Sequence, residues 1–254
     1  MPPMAVYCLC GLTAGLLGGY LGLGGGIIMV PFLTIAAGLD IKTAVPVSVT
    51  ATVVTSIASS NEYLKKGMVD LELSIILALF MVIGTITGSS LSPYIPSEYI
   101  QMTLTIVVLY TAVSLLRSNK KQVSMHVVDR NKNIALSAVI AVFTGILSGL
   151  VGIGGGVIIV PVLYLLIGLP LSTSRGTSSL MIGFSAAAAS TVYLLNNQVD
   201  FQIATGVIVG IIIGGKIGGK LGAIAKPKVV KVIFFIVLLY VAIKLGYEPL
   251  KELL

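Results

Sequence analysis

TAGLLGGYLGLGGGIIMVPFLTIAAGL, residues 13–39, returns as FTGILSGLVGIGGGVIIVPVLYLLIGL, residues 143–169, with no gap in the alignment. Each copy is apolar except for hydroxyls, and each is interrupted once by a glycine run that ends in a Val-Pro step. The register of the repeat continues outward. Ser48 meets Ser178, Tyr63 meets Tyr193, Asp70 meets Asp200, Gly84 meets Gly214, Gly88 meets Gly218 and Tyr110 meets Tyr240. The chain therefore reads as two homologous units, 1–116 and 134–254, joined by a basic linker at 117–133.

The 254 residues are 56% hydrophobic and 10% charged, against roughly one quarter charged in soluble domains. Residues 1–39, 73–97 and 133–174 contain no Asp, Glu, Lys, Arg or His. Runs of this kind read as membrane spans. A formal charge of +7 raises the question of nucleic acid, but the basic residues cluster in short connections, above all RSNKKQVSMHVVDRNKN at 117–133. That is the pattern of cytoplasmic loops in membrane proteins, so nucleic-acid binding is not expected. Cys8 and Cys10 lie on different faces of a helix and cannot form a disulfide framework. They read as apolar fillers. Residues 4–21 lack a basic flank and a cleavage site and have a counterpart inside the chain, so they read as part of the mature fold.

The pattern predicts an all-α integral membrane protein with about five segments per unit: 4–22, 26–38, 43–60, 71–92 and 98–116, then 134–152, 156–168, 173–195, 201–222 and 229–246. The second of each five is too short to cross a hydrocarbon core of about 30 Å, so it re-enters or stops partway. An odd number of segments inverts the second unit relative to the first, and the loop charges agree. NEYLKKGMVD (61–70) carries Lys65 and Lys66 where TVYLLNNQVD (191–200) has no base, and LSPYIPSEYIQ (91–101) has none where LGAIAKPKVVK (221–231) carries Lys226, Lys228 and Lys231. The expectation is a pair of inverted-topology repeats in the cell membrane. Loops 61–70, 117–133 and 223–231 would be cytoplasmic and both termini outside.

The glycine breaks, Gly24, Gly25 and Gly26 with Gly154, Gly155 and Gly156, carry the strongest chemical signal. Backbone freed by such a break is tolerable in a membrane only when it is buried in protein or lines a cavity. The helix that follows offers unpaired N–H groups and a positive dipole end, which suit an anion at a site between the two units. The other reading, a tight hairpin with close helix packing, stays open. A dinucleotide fingerprint is excluded, because Ile27 and Val157 stand where that motif needs glycine.

The third segments are rich in hydroxyls. Ser48, Thr52, Thr55 and Ser59 share one stripe, and Ser174, Ser178 and Ser185 share another. They either face a polar solute or serve as small packing residues. Arg175 breaks the repeat at the place of Val45. It either pairs with an oxyanion through its planar fork or marks a cytoplasmic helix start. Gly206, Gly210, Gly214, Gly218 and Gly222, echoed by Gly84 and Gly88, read as a close-packing stripe, and Lys216 and Lys220 snorkel from it. Asp70 and Asp200 end segments, with a proton relay as one option. His126 lies in the polar linker. One histidine and few acids assemble no catalytic triad or metal cluster, so neither an enzyme nor a resident cofactor is expected.

The doubled GxxGxGGGxxxVP element, the length and the hydroxyl-rich third segment resemble the sulfite exporter TauE/SafE family of membrane permeases across nearly the whole chain. The resemblance implies a transporter of small sulfur-containing anions such as sulfite, thiosulfate or sulfoacetate. The substrate-binding candidates are Gly24, Gly25, Gly26, Gly154, Gly155, Gly156, Ser48, Thr52, Ser178 and Arg175. The expected partners are a small anion, the lipid bilayer and a coupling proton or sodium ion. A passive anion channel or exchanger, and a non-transporting membrane scaffold, are the competing readings.

Overall fold

The computed structural model describes residues 4–117 and 130–223, together with Leu239 and Ile243. The segment expected at 229–246 with its preceding Lys226, Lys228 and Lys231, most of the linker with His126, and Tyr240 lie outside the described residues. Among those described, every element is helical: α1 (Met4–Leu21), α2 (Gly26–Ile35), α3 (Ile41–Leu64), α4 (Leu71–Leu91), α5 (Ser97–Arg117), α6 (Arg130–Val151), α7 (Gly156–Pro161), α8 (Leu171–Leu195) and α9 (Phe201–Gly222). Six of them, α1, α3, α4, α6, α8 and α9, are long and apolar enough to cross a membrane. The chain is an all-α, multi-pass integral membrane protein.

Helix starts follow local chemistry. Asp40 accepts from the Lys42 amide at 2.7 Å, Asp70 from Leu73 at 3.0 Å, and Asp200 from Gln202 and Ile203 at 2.9 and 3.1 Å. These carboxylates satisfy amides that would otherwise be orphaned. The matched Asp70 and Asp200 are thus caps at helix entrances. The short helices are shorter than the sequence suggests. α2 has 10 residues, about 15 Å at 1.5 Å per residue, and α7 has six before it loosens into a π turn over Val162–Leu166. Pro161 stands at that transition and lacks the N–H that an α turn would use. Pro31 occupies the equivalent place in α2, which stays α-helical to Ile35.

Two glycine seams set the helix packing. A Cβ on Gly210, Gly214 or Gly218 would land on the carbonyl oxygens of Cys8, Leu12 and Leu16, and one on Gly11 would land on that of Val207. The backbones of α1 and α9 therefore touch, and residue numbers rise together along the seam, so the helices run parallel. Gly84 and Gly88 of α4 meet Val142 and Ile146 of α6 in the same way, while Gly145 and Gly149 of α6 meet Met81 and Thr85. Without a hydrophobic drive between helices in lipid, such small-residue approach supplies the association. The glycine stripe is a packing surface, with Lys216 and Lys220 on its exposed flank.

At the centre, α3 packs on α8. Ser59 Oγ contacts Ser179 Oγ at 2.5 Å and Thr50 Oγ1 contacts Ser190 Oγ at 3.0 Å, so these two helices run antiparallel. Gly215 and Gly219 of α9 lie beside Thr55, Ala58 and Ser59 of α3, which makes α1, α3 and α9 one parallel set. The opposing set is α4, α6 and α8.

Candidate functional site

Each unit enters the bundle through its glycine break. Gly22, Gly24 and Gly25 have φ of 71°, 80° and 85°, and Gly152, Gly154 and Gly155 have 74°, 79° and 72°. These left-handed values are open to glycine at little cost and are strained for a residue with a side chain. The matched angles mean that the two breaks take the same path. Each is held by its counterpart's long helix: Ser48 Oγ donates to the Gly152 carbonyl at 2.9 Å, and Ser178 Oγ donates to the Gly22 carbonyl at 3.1 Å. Tyr63 and Tyr193 repeat the pattern at the ends of α1 and α6. The Tyr63 hydroxyl donates to Tyr20 O at 3.1 Å and the Tyr193 hydroxyl to Gly149 O at 2.5 Å.

The breaks enter from opposite ends and cross. A Cβ on Gly26 would run into Gly152 and Ile153, and one on Gly156 into Gly22 and Leu23. Gly24 and Gly154 both face the same pair of side chains, Thr52 and Ile182. A Cβ on Gly24 would lie 2.8 Å from Ile182 Cγ2 and 3.0 Å from Thr52 Cγ2; one on Gly154 would lie at 3.2 and 3.4 Å. Thr52 is the twelfth residue of the 24 in α3, and Ile182 the twelfth of the 25 in α8. The crossing therefore sits at the midpoint of both long helices.

Polar groups in the two breaks and on α3 lack partners among the described residues. The Gly25 carbonyl accepts from Ile28 and Met29, and the Gly155 carbonyl from Ile158 and Ile159. Among the described residues, however, nothing accepts from the amides of Gly24, Gly25, Gly26 and Ile27, or from those of Gly154, Gly155, Gly156 and Val157. Thr52 Oγ1 and Ser56 Oγ are fully buried and likewise unpartnered. Buried donors that lack acceptors are costly, and they suit a solute that brings lone pairs. The repeat equivalents of Thr52 and Ser56 are Ile182 and Ala186, so the hydroxyl wall belongs to α3 and the facing wall on α8 is apolar.

The sequence candidates thus separate. Gly24, Gly154, Gly26, Gly156 and Thr52 meet at the crossing. Gly25 and Gly155 shape the turns, but their open sides face Ala14 on α1, at 2.8 Å from its carbonyl, and Met81 and Thr144 on α4 and α6. Ser48 and Ser178 have each committed a single hydroxyl proton to a carbonyl, so they position the breaks. Thr55 and Ser185 bond back to Ala51 and Ile182 within their own helices, and Ser174 to Leu169 and Pro170. Arg175 lies seven residues before Ile182, about 10 Å along α8, outside the crossing. Ser56 was not singled out in the sequence. Its signal was there, four residues after Thr52 on the same stripe.

Comparison with known proteins finds membrane transporters. The chain is 27% identical to "Probable membrane transporter protein YunE" of Bacillus subtilis (strain 168) over 96% of this chain and 97% of that protein. It is 30% identical to a "Probable membrane transporter protein" of Xylella fastidiosa (strain 9a5c) over 77% and 74%. It is 31% identical to "Sulfite exporter TauE/SafE family protein 5" of Arabidopsis thaliana over 44% and 25%. No solved structure matches. The family model "Sulfite exporter TauE/SafE" matches residues 7–245, and the chain belongs to this family of membrane transporters.

Proposed function

We propose that this chain is a secondary transporter of a small sulfur-containing oxyanion, of the class of sulfite, thiosulfate or sulfoacetate. It moves the anion by alternating access around the crossing of the two glycine breaks. The observation that carries this reading is that Gly24 and Gly154 meet beside Thr52, halfway along α3 and α8, where the Thr52 hydroxyl and the amides of both breaks have no partner among the described residues. An oxyanion accepts from hydroxyl and amide donors of this kind, and the helix start at Gly26 adds a favourable dipole end. A cation would meet the same groups the wrong way round.

The antiparallel α3 and α8, with the charge bias of the loops, support a reading of the units as inverted-topology repeats. On that reading the two breaks are alternate gates, each held by the partner unit's serine, and movement of one unit against the other exposes the crossing to either side. The protein sits in the cell membrane with loops 61–70 and 117–133 in the cytoplasm and both termini outside. Coupling comes from a proton or sodium gradient, since the sequence carries no nucleotide-binding motif.

Uptake of radiolabelled sulfite, thiosulfate and sulfoacetate into proteoliposomes, with and without imposed pH and sodium gradients, tests this. Saturable uptake of at least one anion that rises with one gradient is expected. Saturable flux indifferent to both gradients would replace the transporter with a passive exchanger. No flux of any of the three would remove the substrate class.

A further inference from the structure

We propose that Arg175 and the face of Tyr20 form a second anion-binding station at the end of the bundle where α8 begins. This station is separate from the midpoint crossing and has no counterpart at the opposite end. Its choice of anion rests on the transport reading; its existence rests on the arginine.

A guanidinium held largely out of water gains from a compensating partner. Arg175 is 5% exposed. Among the described residues the ion pair is that of Lys65 with Glu62, and no carboxylate, carbonyl or hydroxyl accepts from the Arg175 fork. Its contact is the ring of Tyr20, with the guanidinium carbon 5.4 Å from the ring centroid. That face offers the cation an attractive quadrupole but no lone pairs for the N–H donors. A small oxyanion supplies what is missing, because the planar fork matches two of its oxygens.

The position suits a staging role. The backbone of Arg175 presses on the start of the first break: a Cβ on Gly22 would lie 2.5 Å from the Arg175 carbonyl and 2.8 Å from its Cα. Ser178, one turn further along α8, holds the Gly22 carbonyl. The station therefore adjoins the path by which the first break enters the crossing.

The opposite end is chemically different at the same repeat positions. α8 begins at Pro170 with no side-chain cap, whereas α3 begins at Asp40, whose carboxylate caps the helix. Arg175 is replaced by Val45, Tyr20 by Leu150, and Lys65 and Lys66 by Leu195 and Asn196. The acids near the arginine's end are already engaged. Glu62 pairs with Lys65, and Asp70 caps α4 while its amide donates to Thr177 of α8. Glu72 lies in the first turn of α4, where the helix dipole favours it. The asymmetry breaks a repeat that is otherwise closely matched in its turns and latches. It gives the protein one end that gathers anions and one that does not.

The test is equilibrium binding of radiolabelled sulfite and thiosulfate to the purified full chain in detergent, comparing the parent with Arg175→Gln, Arg175→Lys and Thr52→Val, each first shown to be monodisperse. Arg175→Gln is expected to lose one bound anion per chain at saturation. Arg175→Lys should keep that anion with several-fold weaker affinity, because the ammonium lacks the fork. Thr52→Val should weaken binding without removing the Arg175 component. If Arg175→Gln binds as the parent does, the station does not exist. If it does not fold, Arg175→Lys carries the test, and parental affinity there overturns the proposal. If Thr52→Val also abolishes the Arg175 component, the two sites are one and the proposal fails. Loss in Arg175→Gln with no change in Thr52→Val keeps the station and removes the midpoint site. A parent that binds neither anion at millimolar concentrations overturns the station outright.

Discussion

Thr52→Val separates a solute-binding hydroxyl from a structural one, because the two roles predict opposite signs for stability. The Thr52 γ-methyl sits between Gly24 and Gly154, and valine keeps it. The substitution removes only Oγ1, which is fully buried and donates to nothing among the described residues. Burying a hydroxyl without a partner costs about 1–3 kcal/mol in proteins. The unliganded Thr52→Val protein should therefore melt at or above the parent temperature, by about 2–4 °C for each kcal/mol in a chain of this size. A hydrogen bond to a charged acceptor contributes about 1.5–3 kcal/mol. At about 1.4 kcal/mol per tenfold, anion affinity should fall roughly 10- to 150-fold. The assay is thermal unfolding of the detergent-solubilised protein over a titration of sulfite or thiosulfate, since ligand that binds only the folded state raises the midpoint with concentration. A variant that melts lower than the parent yet keeps parental affinity would refute the reasoning and make Thr52 a packing residue.

Ser48→Ala and Ser178→Ala should each lower stability by about 1–3 kcal/mol and by similar amounts, because each orphans the carbonyl of the equivalent glycine; thermal melting checks this, and a silent pair would show that the latches hold nothing. Gly24→Ala should reduce transport more than Gly154→Ala, since both carry φ near 80° but the added Cβ meets Ile182 at 2.8 Å in the first and 3.2 Å in the second; initial uptake rates in proteoliposomes rank them. Gly214→Leu should fail to give a monodisperse protein, because its side chain would start on the Leu12 carbonyl of α1, beyond the roughly 1–3 kcal/mol of ordinary overpacking. In a background without Cys8 and Cys10, single cysteines in 61–70 should be labelled from the cytoplasmic side and those in 196–200 from outside; labelling of both loops from one side would rule out the inversion.

Much of this architecture is legible in the sequence because a bilayer restricts the choices. A predominantly apolar run long enough to cross about 30 Å reads as a helix, so α1, α3, α4, α6, α8 and α9 follow from composition and spacing. The 130-residue repeat by itself pairs Gly24 with Gly154 and Ser48 with Ser178, and the every-fourth glycines of α9 announce a close helix contact. The role of each polar residue is not legible, because it depends on what lies across the crossing. Ser48, Thr52 and Thr55 share one stripe in the sequence, yet tertiary structure gives Ser48 to the Gly152 carbonyl, Thr55 to its own helix and leaves the Thr52 hydroxyl without a partner among the described residues. The same holds for Arg175. Its identity and its break with the repeat are sequence facts, whereas its burial against Tyr20, with no counter-charge among the described residues, comes from helices far apart in the chain. Periodicity determines which face a side chain shares with its neighbours along a helix. Which donor meets which acceptor is decided by the antiparallel meeting of α3 with α8 and the crossing of two breaks that enter from opposite ends.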